Sequence, residues 1–336
     1  RRPHDRAERQ GGFGMTERAA LDLVEAGPEH AEVIVDVIHR SFAARPALDP
    51  PTTAFDETVE TVAATLRDYG GLLALRRDRP MGAILFDESR EGLLGLRRVS
   101  VHPQGRDRGV ASAMVGVAED IAEERGKDGI WLDVREELPD TVRFWTRKLY
   151  VPIGQTGPMI HLGKTLWLSR EVPDATSMHE LAADVARLLR PGDLLVLSGD
   201  LGAGKTTFTQ GLGEALGVRG PITSPTFVIA RTHPSLADGP PLVHVDAYRL
   251  GDAAEIDDLD LDASTDESIT VVEWGEGRAE QLADSWLSVR IEARAADDTD
   301  PVGTDSGVTS PDMRVVTIRP RGPRWIDVPL RSTLLR

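Results

Sequence analysis

Apolar positions recur along this chain with two different spacings, and their alternation lays out a succession of strands and helices. Leu21 and Val24 open the pattern. Residues 28–42 read as a helix with Val33, Val37 and Ile38 on one side, and residues 58–69 as a second helix. Residues 71–75 and 81–86 form paired strands across a turn at 76–80. Next come a strand over 94–101, a glycine-containing loop and a helix over 110–125. A strand over 130–134, a short helix over 140–148 and one strand over 153–162 close the first set.

Residues 163–174 form a boundary, of which 166–168 could already belong to the second domain. Ser177 is placed to cap a helix reaching Leu189, with Glu180 as its capping-box partner, and Pro191-Gly192 stops it. A short, fully apolar strand over 194–197 leads through a glycine-rich turn into a helix over 206–216, ended by Gly217 and Gly220-Pro221. Strands then dominate, at 226–231, 242–248, 269–272, 286–292 and 313–319. Two insertions interrupt them, a Pro- and Gly-containing loop at 233–241 and a polar excursion at 297–312. The reading is of two α/β domains, 15–164 and 165–336, behind a tail of residues 1–14.

Composition narrows the chemistry. A chain of 336 residues exceeds one ordinary core, which agrees with two domains. Hydrophobic residues at 40% and charged residues at 28% give a globular balance, and no apolar run approaches a membrane span, so no membrane partner is expected. Cysteine is absent, which excludes disulfides, thiolate metal sites and cysteine nucleophiles and suits a cytoplasmic protein. The eight histidines show no zinc-ligand spacing. A net charge of -16 repels phosphate backbones, so any approach to RNA is expected through a partner. The Arg-rich residues before Met15 read as a disordered tail or an upstream extension; a basic targeting peptide is the alternative.

The turn after the strand at 194–197 is Gly199-Asp200-Leu201-Gly202-Ala203-Gly204-Lys205-Thr206, a complete G-x-x-x-x-G-K-[ST] phosphate-binding loop between a strand and a helix. Small residues let successive backbone N–H groups turn inward around a diphosphate. The amides of Leu201, Gly202, Ala203, Gly204, Lys205, Thr206 and Thr207 would form the cradle. The Lys205 ammonium would neutralise the outer phosphates of ATP, and the Thr206 hydroxyl would hold Mg2+. Such a site also needs an acidic group at a strand end to order magnesium or the attacking water. Asp246 and Glu273 each end a strand and are the candidates. No guanine-reading N/T-K-x-D follows Thr206, and no Arg-bearing lid marks a small-molecule kinase, the competing class. Arg249 and Arg278 are candidate phosphate contacts.

Four motifs in order carry a family resemblance: Gly199 through Thr207; Thr223-Ser224-Pro225-Thr226-Phe227; His244-Val245-Asp246-Ala247-Tyr248-Arg249-Leu250; and Val272-Glu273-Trp274-Gly275-Glu276. Over residues 174–319 the chain resembles the bacterial TsaE (YjeE) family, small ATPases serving threonylcarbamoyladenosine synthesis on tRNA. The resemblance implies that Thr206 and Glu273 ligate magnesium and that Asp246 positions the water or the metal. It implies a switch-like segment at 223–227, Trp274 packed beside the site, and TsaB and TsaD as partners, with tRNA reached only through them. The two insertions depart from compact members of that family.

In the first half, Val99-Ser100-Val101 leads through His102-Pro103-Gln104-Gly105 and Arg106-Asp107-Arg108-Gly109 into the helix start Val110-Ala111-Ser112. A helix amino terminus offers N–H groups suited to a pyrophosphate, and Gly109 and Ala111 permit close approach. Over residues 21–162 the order of elements resembles the GNAT N-acetyltransferase family, whose R/Q-x-x-G-x-G/A motif matches Arg106, Gly109 and Ala111. That resemblance implies acetyl-CoA, with its pyrophosphate on the amides of Asp107, Arg108, Gly109, Val110, Ala111 and Ser112 and its pantetheine arm along Val99 to Val101. Many members carry F-Y-x-x-x-G-F, the Tyr acting as general acid; here the segment is Phe144-Trp145-Thr146-Arg147-Lys148-Leu149-Tyr150. An indole N–H cannot take that role, and Tyr150 reads as core packing. Glu91, Asp133 and Glu136 are unranked candidates for the base. A non-catalytic acetyl-CoA-binding or partner-binding module is the alternative for this half.

Overall fold

The computed structural model describes residues 20–106, 108–225, 229–249, 266–294 and 313–336. They fall into two compact units, one of the chain up to Leu85 with Arg98–Val115, the other of Phe86–Arg97 with Gly116–Arg336.

The first unit begins with β1 (Asp22–Glu25), α1 (Ala31–Ala43), α2 (Val59–Asp68), β2 (Gly71–Arg76) and most of β3 (Arg79–Asp87). Helix α1 buries Ile34, Val37 and Ile38 at helical spacing; Val33, expected on the same side, is exposed instead. These residues pack on Val62 and Leu66 of α2 and on Leu73, Ala83 and Leu85 of the strands. Each fully buried Leu or Ile contributes about 1.5–3 kcal/mol. Thr58 and Thr61 cap α2 reciprocally, each hydroxyl accepting the other's backbone N–H at 3.3 and 2.9 Å. The turn between β2 and β3 places both Arg77 and Asp78 at positive φ, the backbone sense that suits a two-residue hairpin.

In the second unit the opening residues of β4 (Leu93–Val101) run parallel to β5 (Gly129–Arg135), and α3 (Val110–Glu124) and α4 (Pro139–Arg147) lie on either side of β5 in sequence. The expected single strand at 153–162 is two strands. Gly157, at φ 54°, turns the chain between β6 (Val151–Thr156) and β7 (Met159–Thr165), which pair antiparallel, and β7 also pairs antiparallel with β5.

The rest of this unit is built on a second sheet. Its strands are β8 (Leu168–Val172), β9 (Leu194–Ser198), β10 (Ala230–His233), β11 (Leu242–Asp246), β12 (Ile269–Glu273), β13 (Trp286–Ala293) and β14 (Arg314–Arg321). Their order is β10-β11-β12-β9-β13-β14-β8. The central four, β11, β12, β9 and β13, are parallel. All five residues of β9 are buried, as the unbroken apolar run requires of a strand covered on both faces. Strand β8 places Leu166–Leu168 at the threshold of this sheet, pairing antiparallel with β14.

Helices α5 (Ala175–Ala186) and α6 (Lys205–Leu216) accompany the sheet. Asp174, not Ser177, caps α5: its carboxylate accepts the Ser177 N–H at 2.8 Å, and the helix stops at Ala186, short of Leu189. The expected strand at 226–231 begins at Ala230, with residues 226–228 outside the described residues; β11 ends at Asp246 because residues 247–249 wind into a 3-10 turn. The polar insertion at 297–312 also lies outside the described residues.

A carboxy-terminal segment the periodicity did not announce completes the core. Trp325, Leu330 and Leu334, the last two on α7 (Leu330–Leu334), are fully buried among residues of α5, β8 and β14. Arg324 clasps the buried Asp193 carboxylate with two contacts of 3.1 Å, and the Ser332 N–H and hydroxyl both donate to Asp128 at 3.0 Å. Among the described residues no helix is long and apolar enough to cross a membrane.

Candidate functional site

The loop between β9 and α6 takes its shape from three left-handed glycines, Gly199 at φ 139°, Gly202 at 79° and Gly204 at 111°. At Gly199 a Cβ would lie 2.2 Å from the Ile291 carbonyl oxygen, so no other residue fits. The chain can therefore leave the strand sharply and enter α6 within a few residues. Leu201 projects at the crest, 88% exposed, and Ala203 is buried, its N–H closing a 3.1 Å turn on the Asp200 carbonyl. The helical ladder starts with the Phe208 N–H on the Gly204 carbonyl at 2.9 Å, so the amides of Lys205, Thr206 and Thr207 precede it in the first turn.

Lys205 is buried. Its Nζ donates to the carbonyls of Gly199 at 2.8 Å and Asp200 at 2.9 Å and lies 3.7 Å from the centre of the Trp274 ring. Burial pushes its ammonium below the usual lysine range, against the opposing pull of Glu273, Asp246 and Asp200. The ammonium is thus held at the loop by dipoles and an aromatic face.

The two expected carboxylates are neighbours. Strands β11 and β12 pair in parallel with Asp246 opposite Glu273, both at the carboxyl end, and both side chains are buried. In an open parallel sheet that end is where ligands bind. The Thr206 hydroxyl donates to Glu273 at 3.0 Å to Oε1 and 3.3 Å to Oε2. Asp246 accepts the Ser224 hydroxyl at 2.8 Å and the Tyr248 N–H at 3.0 Å. Each acid therefore faces a hydroxyl, Glu273 that of Thr206 in the first turn of α6 and Asp246 that of Ser224. Thr206 and Glu273 together offer hard oxygen donors of the kind that magnesium takes.

Trp274 sits directly after Glu273 at φ 61°, its N–H bonded to the Leu197 carbonyl at 2.9 Å and its ring 5.2 Å from that of Tyr248. Arg278 donates to the Ala247 carbonyl at 3.1 Å, and Arg249 is exposed. One residue escaped sequence reasoning. His244, fully buried in β11, places Nε2 2.9 Å from Glu273 Oε1. Its signal was present, because a polar side chain two positions before Asp246 shares its face of the strand.

In the amino-terminal half, the Val99 carbonyl accepts from Arg45 at 3.1 Å and the Val101 N–H donates to the Ser41 hydroxyl at 3.2 Å. Burial, with Arg106 adding repulsion, lowers the Arg45 guanidinium to about 10. Arg106 turns toward α1, donating to the carbonyls of Ala44 and Ser41 at 3.2 Å each. Asp107 lies outside the described residues. Arg108 is exposed; Gly109, at φ 77° with open space where a Cβ would project, hands the chain to Val110, Ala111 and Ser112 at the start of α3.

Trp145 and Tyr150 are both buried and meet edge to face at 4.9 Å. The Tyr150 hydroxyl donates to Glu119 at 3.2 Å. Burial, with Glu119 beside it, raises the phenol well above its usual value. Of the candidate bases, Glu91 is exposed and Glu136 accepts from Gln155 at 2.9 Å. Asp133 lies 2.5 Å from His161 Nδ1, whose Nε2 is 2.9 Å from the Thr156 hydroxyl, an association the sequence did not suggest.

Comparison with known proteins assigns both halves. The sequence profile of the family "Threonylcarbamoyl adenosine biosynthesis protein TsaE" matches residues 172–300, and that of the "Acetyltransferase (GNAT) family" matches residues 37–149. A tRNA threonylcarbamoyladenosine biosynthesis protein TsaE from Streptomyces coelicolor is 58% identical over 44% of this chain and 93% of its own. Its namesake from Mycobacterium bovis is 44% identical over 42% of this chain and 89% of its own. Among solved structures, the PaiA N-acetyltransferase from Thermoplasma acidophilum in complex with coenzyme A is 14% identical, covering 44% of this chain and 99% of that one at a TM-score of 0.40. By the loop, its two strand-end acids and these relatives, the chain belongs to the TsaE family, with a GNAT-like acetyltransferase domain fused ahead of its TsaE domain.

Proposed function

We propose that the TsaE domain, taken from about residue 165 onward, is a magnesium-dependent ATPase that supports N6-threonylcarbamoyladenosine formation at position 37 of tRNA. The observation that carries this reading is the 3.0 Å contact between the Thr206 hydroxyl and the Glu273 carboxylate beside the glycine loop. The loop amides from Leu201 to Thr207 would bind the phosphates, and Lys205 would exchange its carbonyl partners for phosphate oxygens as charge builds on them. Thr206 and Glu273 would hold magnesium, which screens phosphate charge when bound. Asp246, released from the Ser224 hydroxyl, would accept a hydrogen bond from the attacking water. That exchange gives the segment beginning at Thr223 a means of reporting the nucleotide's state.

TsaB- and TsaD-type proteins would be the partners. The net charge of -16 supports contact with tRNA through them rather than directly, in the cytoplasm. The GNAT-like domain would bind acetyl-CoA at the start of α3, with Val99 and Val101 along the pantetheine arm and the amides of residues 107–112 at the pyrophosphate. A second reading makes this domain a binding module without transfer activity, supported by the buried indole of Trp145 where related enzymes place a tyrosine.

The test is reconstitution of tRNA modification from TsaB, TsaD and this chain. Lys205→Ala should abolish ATP turnover, by 100-fold or more on the order of a lost transition-state contact, and should stop repeated modification. Full ATPase activity in that variant would overturn the loop assignment. Measuring acetyl transfer beside acetyl-CoA binding separates the two readings of the first domain.

A further inference from the structure

His244 is an awkward residue for its place. It lies in β11 between Val243 and Val245, is fully buried, and its Nδ1 has no hydrogen-bond partner among the described residues. An apolar side chain would fill this position without stranding a polar atom. The ring's other nitrogen makes the compensating contact, Nε2 to Glu273 Oε1 at 2.9 Å, on the same oxygen that receives the Thr206 hydroxyl at 3.0 Å. A magnesium-holding carboxylate only accepts, so in that role of Glu273 the hydrogen in the first contact belongs to Nε2.

We infer that His244 is a positioning residue for nucleotide-bound magnesium. By donating to Oε1, it fixes the rotation of the Glu273 carboxylate so that the group faces the Thr206 hydroxyl before any cation arrives. The geometry supports a preassembled pair: Glu273 ends a strand whose neighbour supplies the histidine, and Thr206 belongs to the first turn of α6, so three elements converge on one carboxylate. Without the histidine, Glu273 would keep its place in the strand but gain rotational freedom. The cost would appear in cation affinity rather than in phosphate binding. This inference rests on the reading of Glu273 and Thr206 as the magnesium-holding pair.

The test uses the full chain and measures ATP affinity twice by calorimetry, in EDTA and across a MgCl2 titration. Three variants are compared: His244→Leu, which fills the space without a donor; His244→Asn, whose amide is too short to reach; and His244→Gln, whose amide nitrogen can stand near the Nε2 position. Leu and Asn should raise the magnesium concentration needed for half-maximal enhancement by about tenfold or more, with affinity in EDTA within about twofold of the unsubstituted protein. Gln should restore most of the enhancement. Unaltered magnesium dependence in the Leu variant overturns the inference, as does equal behaviour of Asn and Gln, a comparison that remains available if the Leu variant fails to fold. Glu273→Gln, run alongside, tests the underlying reading separately. If that variant keeps its magnesium response, the metal assignment falls and the inference with it; if it loses the response and His244→Leu does not, the histidine's role alone is refuted.

Discussion

Both halves of this chain contain a strand, a glycine-bearing turn and a helix start, yet the residues around those turns differ in kind. In the TsaE half, the companions of the loop are already assembled: Lys205 against loop carbonyls, Thr206 on Glu273, Ser224 on Asp246. In the GNAT-like half the corresponding groups are drawn into structure. Arg106 holds the last carbonyls of α1, and Trp145 and Tyr150 are packed into the interior. A phosphate turn asks mainly for backbone freedom, which glycine supplies wherever it stands. A proton-transfer site asks for one particular side chain within reach of water or substrate, and a single substitution removes it.

The sharpest challenge to this comparison is Gly199→Ala. A methyl 2.2 Å from the Ile291 carbonyl, on a backbone at φ 139°, should destabilise the fold by roughly 3 kcal/mol or more and abolish nucleotide binding. Denaturant unfolding with an ATP-binding assay checks both, and a stable, ATP-binding variant would mean that the loop is not held as described.

A smaller effect is expected from Tyr150→Phe. The lost hydrogen bond to Glu119 should cost about 1 kcal/mol, with any acetyl transfer unchanged. The phenol's raised value adds a signature in pH. The folded protein keeps a proton that the unfolded chain gives up near 10.0, so the tyrosine's contribution is complete below that value and fades as pH rises through the folded one. Stability of the unsubstituted chain should therefore fall more steeply above pH 10 than that of the variant; a transfer rate that collapses in Tyr150→Phe would return this residue to the chemistry.

The least disruptive test is Leu149→Gly. Leu149 holds a left-handed backbone at φ 66° and is half exposed, at the position where many GNAT members have glycine. Relief of that strain, offset by glycine's greater freedom when unfolded, should raise stability by about 0.5 kcal/mol. A small upward shift in Tm would be seen; a fall of several degrees would show that the leucine side chain contributes packing its exposure does not suggest.

Legibility in the sequence divides along the same line. The phosphate loop can be read because it specifies glycine, lysine and threonine at fixed intervals along one stretch of chain. Asp246 and Glu273 can be proposed from their places at strand ends, but their adjacency is a matter of register between β11 and β12, which no local pattern contains. The contact between His244 and Glu273 is hidden for the same reason. Smaller discrepancies have local causes. Asp174 displaces Ser177 as the cap of α5 because its carboxylate reaches the Ser177 N–H from one turn earlier. The hairpin of β6 and β7 reads as one strand because Gly157-Pro158 carries the turn inside a short polar interval. The carboxy-terminal core residues give no signal, since α7 is too short to show a helical period.

Strand β8 has a practical meaning for anyone wishing to separate the two domains. It forms an outer rail of the TsaE sheet, zipped along β14 from Leu168 to Val172, whereas the stretch shared with the family begins only at residue 172. A fragment begun at that residue and carried to the end of the chain would leave one side of β14 stripped of most of its hydrogen-bond partners and open to recruitment by a second molecule. A cut upstream of Trp167 would let the TsaE domain keep the strand that shields its flank.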